Sequence, residues 1–175
     1  MAGSIEIDVW QGDIAELEVD AIVVAANESL FMTSGPAASV KRRGGDAIER
    51  AAVEQGPVGP GTAVATHGGG LAATYVIHAV GVGHERIPNR DQLAAAIRSA
   101  LDLVAPLQLR HVATSLIGIE HGTFDPIDAA DVLVGELMRA SAEGNGPETI
   151  VIVTVGSVET AAANDALARR RARVA

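Results

Sequence analysis

The 175-residue chain reads as an α/β protein, a three-layer α/β/α sandwich with a mixed, roughly six-stranded central sheet. Three observations predict this. Apolar stretches of strand length alternate with stretches of helix length, the pattern of a sheet covered by helices. Residues 21–26 are apolar without interruption, as a strand buried on both faces is. Residues 56–70 leave room for turns and a strand but for no helix, so one strand enters without a crossover helix and the sheet is mixed.

Each element has its own signal. Residues 5–10 alternate at period two and form the first strand; residues 21–26 form the second. Two short helical segments follow, 37–43 and 46–55, parted by Gly44-Gly45. Residues 62–66 and 75–80 are the third and fourth strands. Asn89 with Gln92 is a capping-box pattern that opens a helix over 91–104, closed by Pro106. Residues 112–117 form the fifth strand, and Asp125-Pro126 is an N-cap with proline at N1 that starts a helix over 127–142. Residues 150–155 are the sixth strand, and Ser157 caps a last helix that runs into Arg169, Arg170, Arg171 and Arg173. No repeat or linker interrupts the series, so residues 1–175 read as one domain with a short Arg-rich end at 169–173.

Composition narrows the function. With 48% apolar residues the chain is long enough for one sizeable core. Its four aromatics (Trp10, Phe31, Tyr75, Phe124) leave that core to Ala, Val, Ile and Leu. So few stacking platforms argue against a single-strand reader of the OB or RRM type. Net charge is −9, and residues 1–168 alone hold nine basic against 22 acidic side chains, a net −13. Such a body repels a polyphosphate, so broad nucleic-acid binding is not expected, and the Arg-rich end reads as a solvated helix terminus whose cations suit the dipole. Cysteine is absent, which removes disulfides, thiolate zinc sites and cysteine nucleophiles. No apolar run approaches the roughly 20 residues of a membrane span. The stretch from Met1 to Glu6 lacks the basic-then-apolar pattern of a leader, so a cytoplasmic location is expected.

Most common motifs are missing. Lys41 follows Val40, so there is no P-loop, and neither G-x-S-x-G nor H-E-x-x-H occurs. Gly68-Gly69-Gly70-Leu71-Ala72-Ala73 fits G-x-G-x-x-A but leads into a strand rather than a helix, so it reads as a connector. His67, His78, His84, His111 and His121 show no ligand spacing, and neither metal nor cofactor is expected. His78, inside an apolar strand, reads as a core histidine. Two loops remain, 27–36 and 118–125, rich in small residues and placed where a strand ends and a helix begins. Backbone amides and helix N-termini there suit phosphate, although generic turns have the same composition.

Four stretches carry a resemblance: Gln11-Gly12-Asp13-Ile14; Val19-Asp20-Ala21-Ile22-Val23-Val24-Ala25-Ala26-Asn27; Gly56-Pro57-Val58-Gly59-Pro60-Gly61 with residues 66–71; and Tyr75-Val76-Ile77-His78-Ala79-Val80-Gly81. Together, in order and spacing, they resemble the macrodomain family, modules that bind ADP-ribose and in some members hydrolyse its derivatives. The resemblance implies that Asp13 accepts a hydrogen bond from the adenine amino group while the Ile14 N–H supports the base. It implies that Asn27 faces the distal ribose, where it is the candidate catalytic residue. Thr33, Ser34 and Gly35, with the second loop (Ile117, Gly118, Ile119, Glu120, His121, Gly122, Thr123, Phe124), would cradle the diphosphate. Phe124 would serve the distal ribose or the core. The implied partner is a small ADP-ribose-type ligand or an ADP-ribosylated protein. Read as residues alone, Asp13 also fits a turn cap, Asn27 an Asx-turn and Glu120-His121 a solvent-facing pair.

The departures from the family pattern matter as well. Val24 stands where the family has Asn, and the glycine triplet reads Thr33-Ser34-Gly35 followed by Pro36, whose added Cβ atoms narrow the loop and restrict its φ angles. Ala37 takes the place of an acidic residue found in hydrolytic members. Glu120 would set a negative charge against a diphosphate. At about 5 Å and an effective dielectric near 20 this opposition is worth roughly 3 kcal/mol, or two orders of magnitude in affinity, unless the side chain points outward. The last strand ends Val153-Thr154-Val155-Gly156, without an aromatic to stack on adenine. Lys41-Arg42-Arg43 could touch a phosphate or form an exposed helix face. Three functions follow: a binding module for ADP-ribose or a related adenine nucleotide, an ADP-ribosyl or O-acetyl-ADP-ribose hydrolase, and a diverged scaffold without ligand.

Overall fold

A computed structural model describes residues 4–174. Residues 1–3, which the leader reading includes, and residue 175 lie outside the described residues. Six strands are present among the described residues: β1 (Glu6–Gln11), β2 (Ala21–Ala25), β3 (Thr62–His67), β4 (Tyr75–Val80), β5 (His111–Ser115) and β6 (Thr149–Thr154). They form one sheet in the order β1-β6-β5-β2-β4-β3. Every neighbouring pair is parallel except β3 with β4, which is antiparallel, so the sheet is mixed as the short 56–70 segment predicts.

Five helices cover it: α1 (Gly35–Gly44), α2 (Asp46–Val53), α3 (Arg90–Leu101), α4 (Pro126–Glu143) and α5 (Ser157–Val174). Strand alternation sorts them into two layers. Ala21 and Val23 of β2 pack with Leu93, Ile97, Leu133 and Ala163 of α3, α4 and α5. Ile22 and Val24 meet Val40 and Ile48 of α1 and α2 on the other face. Because both faces are covered, β2 is apolar throughout.

Two of the three caps form as read, whereas Ser157 is the first helical residue of α5 rather than its cap. Asn89 Oδ1 accepts from the Gln92 N–H at 3.0 Å, and Asp125 Oδ1 accepts from the Ile127 N–H at 2.8 Å. Most element ends shift by one to three residues from the sequence reading, and two of these shifts bear on the packing. The strand expected to run to Ile117 stops at Ser115, opposite Val153, and Leu116 and Ile117 turn into the core without a ladder partner. The third helix stops at Leu101, and residues 102–108 continue as turns. The glycine connector is indeed a connector. The Gly70 N–H donates to the Gly44 carbonyl at 2.8 Å, which clamps the β3–β4 hairpin onto the break between α1 and α2. The Arg-rich end is less solvated than expected. Arg170 pairs with Asp131 at 3.2 Å, and Arg171 donates to the Ile7 carbonyl at 2.9 Å, tying α5 to α4 and β1.

Candidate functional site

The five mutually parallel strands end at one edge of the sheet, and the loops that leave them enclose a cleft, the usual ligand position in open α/β sheets. Two cavities make it up. One, of about 460 Å³, lies against the end of β1 and is lined by Gly12, Asp13, Ile14, Gly35, Ser39, Arg42, Ser115 and Val155 among others. The second, of about 280 Å³, lies beyond β2 and is lined by Asn27, Phe31, Thr33, Ser34, His84, Arg86, Glu120 and His121 among others. Pro36 lines both, so they meet over the first turn of α1.

Asp13 caps the 3-10 turn Ile14–Glu16: its Oδ1 accepts from the Ala15 N–H at 3.0 Å. Oδ2 accepts from the Ser39 hydroxyl at 2.6 Å. Burial pushes the Asp13 carboxyl up, but these hydrogen bonds, aided by Arg43 and Arg42, outweigh it and leave the pKa below the ordinary value. Asp13 is therefore both a cap and an anion on the cavity wall. Each of its oxygens keeps a second acceptor position.

Asn27 also has a structural task. Its Nδ2 donates to the Phe31 carbonyl at 2.8 Å, and its Oδ1 accepts from the Phe31 N–H at 3.2 Å, closing the loop after β2. Thr33 and Ser34 do not restrict this loop as expected, because only Gly35 of the three has a positive φ, at 57°. Pro36 sits in the first turn of α1 and supplies no N–H there.

The second loop is folded onto itself. The Gly118 N–H donates to Glu120 Oε2 at 3.0 Å. The amides of Gly122, Thr123 and Phe124 go to the carbonyls of Ile119, Glu120 and Gly118. Glu120 thus does not point outward: its carboxylate occupies a loop amide beside the cavity. Burial is the main cause that raises its pKa to about 7, with Glu159 adding to it against the opposing backbone hydrogen bonds. The side chains of Ile117 and Phe124 lie in the core, and Gly118, Ile119, Gly122 and Thr123 do not line either cavity.

Three residues around the cleft mouth carry no sequence signal. Glu28 Oε2 accepts from the His84 N–H at 2.7 Å and from its Nδ1 at 2.6 Å, which holds the loop after β4 at the cleft mouth, and Arg86 extends that loop. Glu28 and His84 stand 56 positions apart, so only the fold brings them together. Leu30, Arg86 and His121, in loops at this cleft, are three of the four non-glycine residues with positive φ among the described residues. Such strain gathers at binding sites. Among the described residues no group of three or more His, Cys, Asp or Glu could hold a metal ion.

Known proteins share this architecture. The Macro domain family model matches residues 23–133. An uncharacterized protein of Mycobacterium tuberculosis is 37% identical over 135 residues, which cover 77% of this chain and 38% of that protein's length. A macro domain-containing protein of Cupriavidus necator is 38% identical over 153 residues, covering 84% of this chain and 88% of that one. The solved Oceanobacillus iheyensis macrodomain with ADP superposes at TM-score 0.87 and 21% identity, over 94% of this chain and 91% of its own. The Trypanosoma brucei macrodomain in complex with ADP-ribose does so at TM-score 0.85 and 23% identity, over 93% and 69%. With the family model matching well over half of its residues, the chain belongs to the macro domain family.

Proposed function

We propose that the chain binds ADP-ribose or a closely related adenine nucleotide along this cleft, with the base beside Asp13 and the distal ribose beside Asn27. The observation that carries this reading is an ionised Asp13 on the wall of a cavity whose neighbour, across Pro36, is lined by Asn27, Thr33 and Ser34. An anionic acceptor suits an exocyclic amine and repels a carbonyl oxygen at the same place. The solved relatives with ADP and with ADP-ribose agree with a ligand of this size and chemistry. The test is base discrimination: AMP should bind at least about 30-fold more tightly than IMP, and Asp13→Asn should erase the difference. Equal affinity for AMP and IMP in the unaltered protein would contradict the reading.

A second reading, hydrolytic release of ADP-ribose from a modified protein or an acetyl ester, has one observation in its favour. His84 is oriented by a carboxylate through Nδ1, which leaves Nε2 to take a proton from water at the Asn27 end of the cleft. Val24 and Ala37 count against it. Released ADP-ribose, lost in His84→Ala while nucleotide binding persists, would support it.

A further inference from the structure

The Asp13 cavity contains a further polar group, the Ser115 hydroxyl. Ser115 ends β5 and is only 2% exposed, yet its hydroxyl has no hydrogen-bond partner among the described residues. The neighbouring buried hydroxyls behave otherwise. Thr114 Oγ1 donates to the Ser115 carbonyl at 3.0 Å, and Thr154 Oγ1 pairs with Thr160 Oγ1 at 2.7 Å. A buried hydroxyl gives up its water, and native structures almost always return a partner. Ser115 lines the cavity whose wall holds Asp13. Its companion there, Ser39, already donates to Asp13, so Ser115 is the buried hydroxyl left open to an occupant.

We propose that Ser115 is a ligand contact whose hydroxyl hydrogen-bonds the nucleoside half of an adenine nucleotide seated against Asp13. This rests on the binding reading above and goes beyond it by naming a second polar anchor. Ile14, Val153 and Val155 make much of the surrounding wall apolar, so a few polar groups fix how a flat base and its ribose lie in it. A hydroxyl both donates and accepts, and it can meet a ring nitrogen or a ribose hydroxyl where Asp13 can only accept. The alternative occupant is a resident water, which would need two to four polar partners and would make the hydroxyl part of the resting fold.

The experiment pairs calorimetric titration of AMP and of ADP-ribose with melting of the ligand-free protein, for the unaltered chain, Ser115→Ala and Ser115→Cys. Ser115→Ala should weaken AMP and ADP-ribose by the same factor, about tenfold, with Ser115→Cys in between because a thiol is a weak donor. Without ligand, Ser115→Ala should melt no lower than the unaltered protein, because it removes a hydroxyl that has no partner. Unchanged affinity, a loss confined to ADP-ribose, or a lower melting temperature for ligand-free Ser115→Ala would each overturn the proposal. Failure of the unaltered protein to bind either nucleotide would overturn the binding reading itself, which separates the two.

Discussion

Among single residues, Glu120 has the largest bearing on ligand charge in the cleft. Its carboxylate lies on the Gly118 amide, in the loop that would otherwise face a diphosphate, and burial lifts its pKa to about 7. Below that pH the group is neutral, and above it the group carries a charge that opposes the ligand. ADP-ribose affinity should therefore fall by about tenfold between pH 6 and pH 8, in calorimetric titrations at fixed ionic strength. Glu120→Gln should flatten this dependence and bind at pH 8 as tightly as the unaltered protein at pH 6. A flat profile in the unaltered protein would show that Glu120 does not touch the ligand's charge. Single residues were legible only where a local motif fixed them. Asp13 and Asn27 stand out because turn chemistry and family pattern coincide there. Ser115 sits within a stretch that reads as an ordinary buried strand, and the Glu28–His84 pair is made by tertiary contact alone, so neither is visible before folding.

The elements place these residues through a few close backbone approaches. Gly69 has φ of 56°, and a Cβ there would collide with the Gly44 carbonyl oxygen at the α1–α2 break. Gly69→Ala should therefore destabilise the protein by about 2–3 kcal/mol. Urea unfolding should show a lower midpoint with an unchanged slope, and an unaltered midpoint would mean that the connector does not brace α1. The elements themselves were largely legible, because strand and helix periods differ and the caps at Asn89 and Asp125 are local. The connector's task was not, since G-x-G-x-x-A describes spacing and says nothing of which backbone it meets. The end of β5 escaped for a related reason: Leu116 and Ile117 are as apolar as the strand, and only the loss of a partner beyond Val153 stops the ladder.

Across the whole molecule, buried His78 and half-buried Glu120 set opposing pH dependences of stability. Burial lowers His78 to about 4 from its ordinary 6.5, so between these values the unfolded chain binds more protons and stability rises with pH. Glu120 is raised from 4.5 to about 7, so over that range the folded chain binds more protons and stability falls as pH rises. The two cancel in part between pH 4.5 and 6.5. Glu120→Gln should expose the His78 contribution as a gain of about 2 kcal/mol across that interval, read from urea midpoints at each pH. Equal slopes in variant and unaltered protein would exclude Glu120 as the compensating group. The three layers and the scarcity of aromatics are whole-chain properties and were plain in the composition and patterning. The anchoring of α5 through Arg170 and Arg171 was not, because an arginine run looks the same whether it is solvated or paired.

An adenine-nucleotide cleft anchored by Asp13 can be tested by titrating ADP-ribose calorimetrically into the unaltered protein and Asp13→Ala at pH 6. The unaltered protein should show saturable one-to-one binding, and an Asp13→Ala variant that remains folded should bind at least about 30-fold more weakly. No heat at millimolar ADP-ribose, or equal affinity in the two proteins, would contradict it.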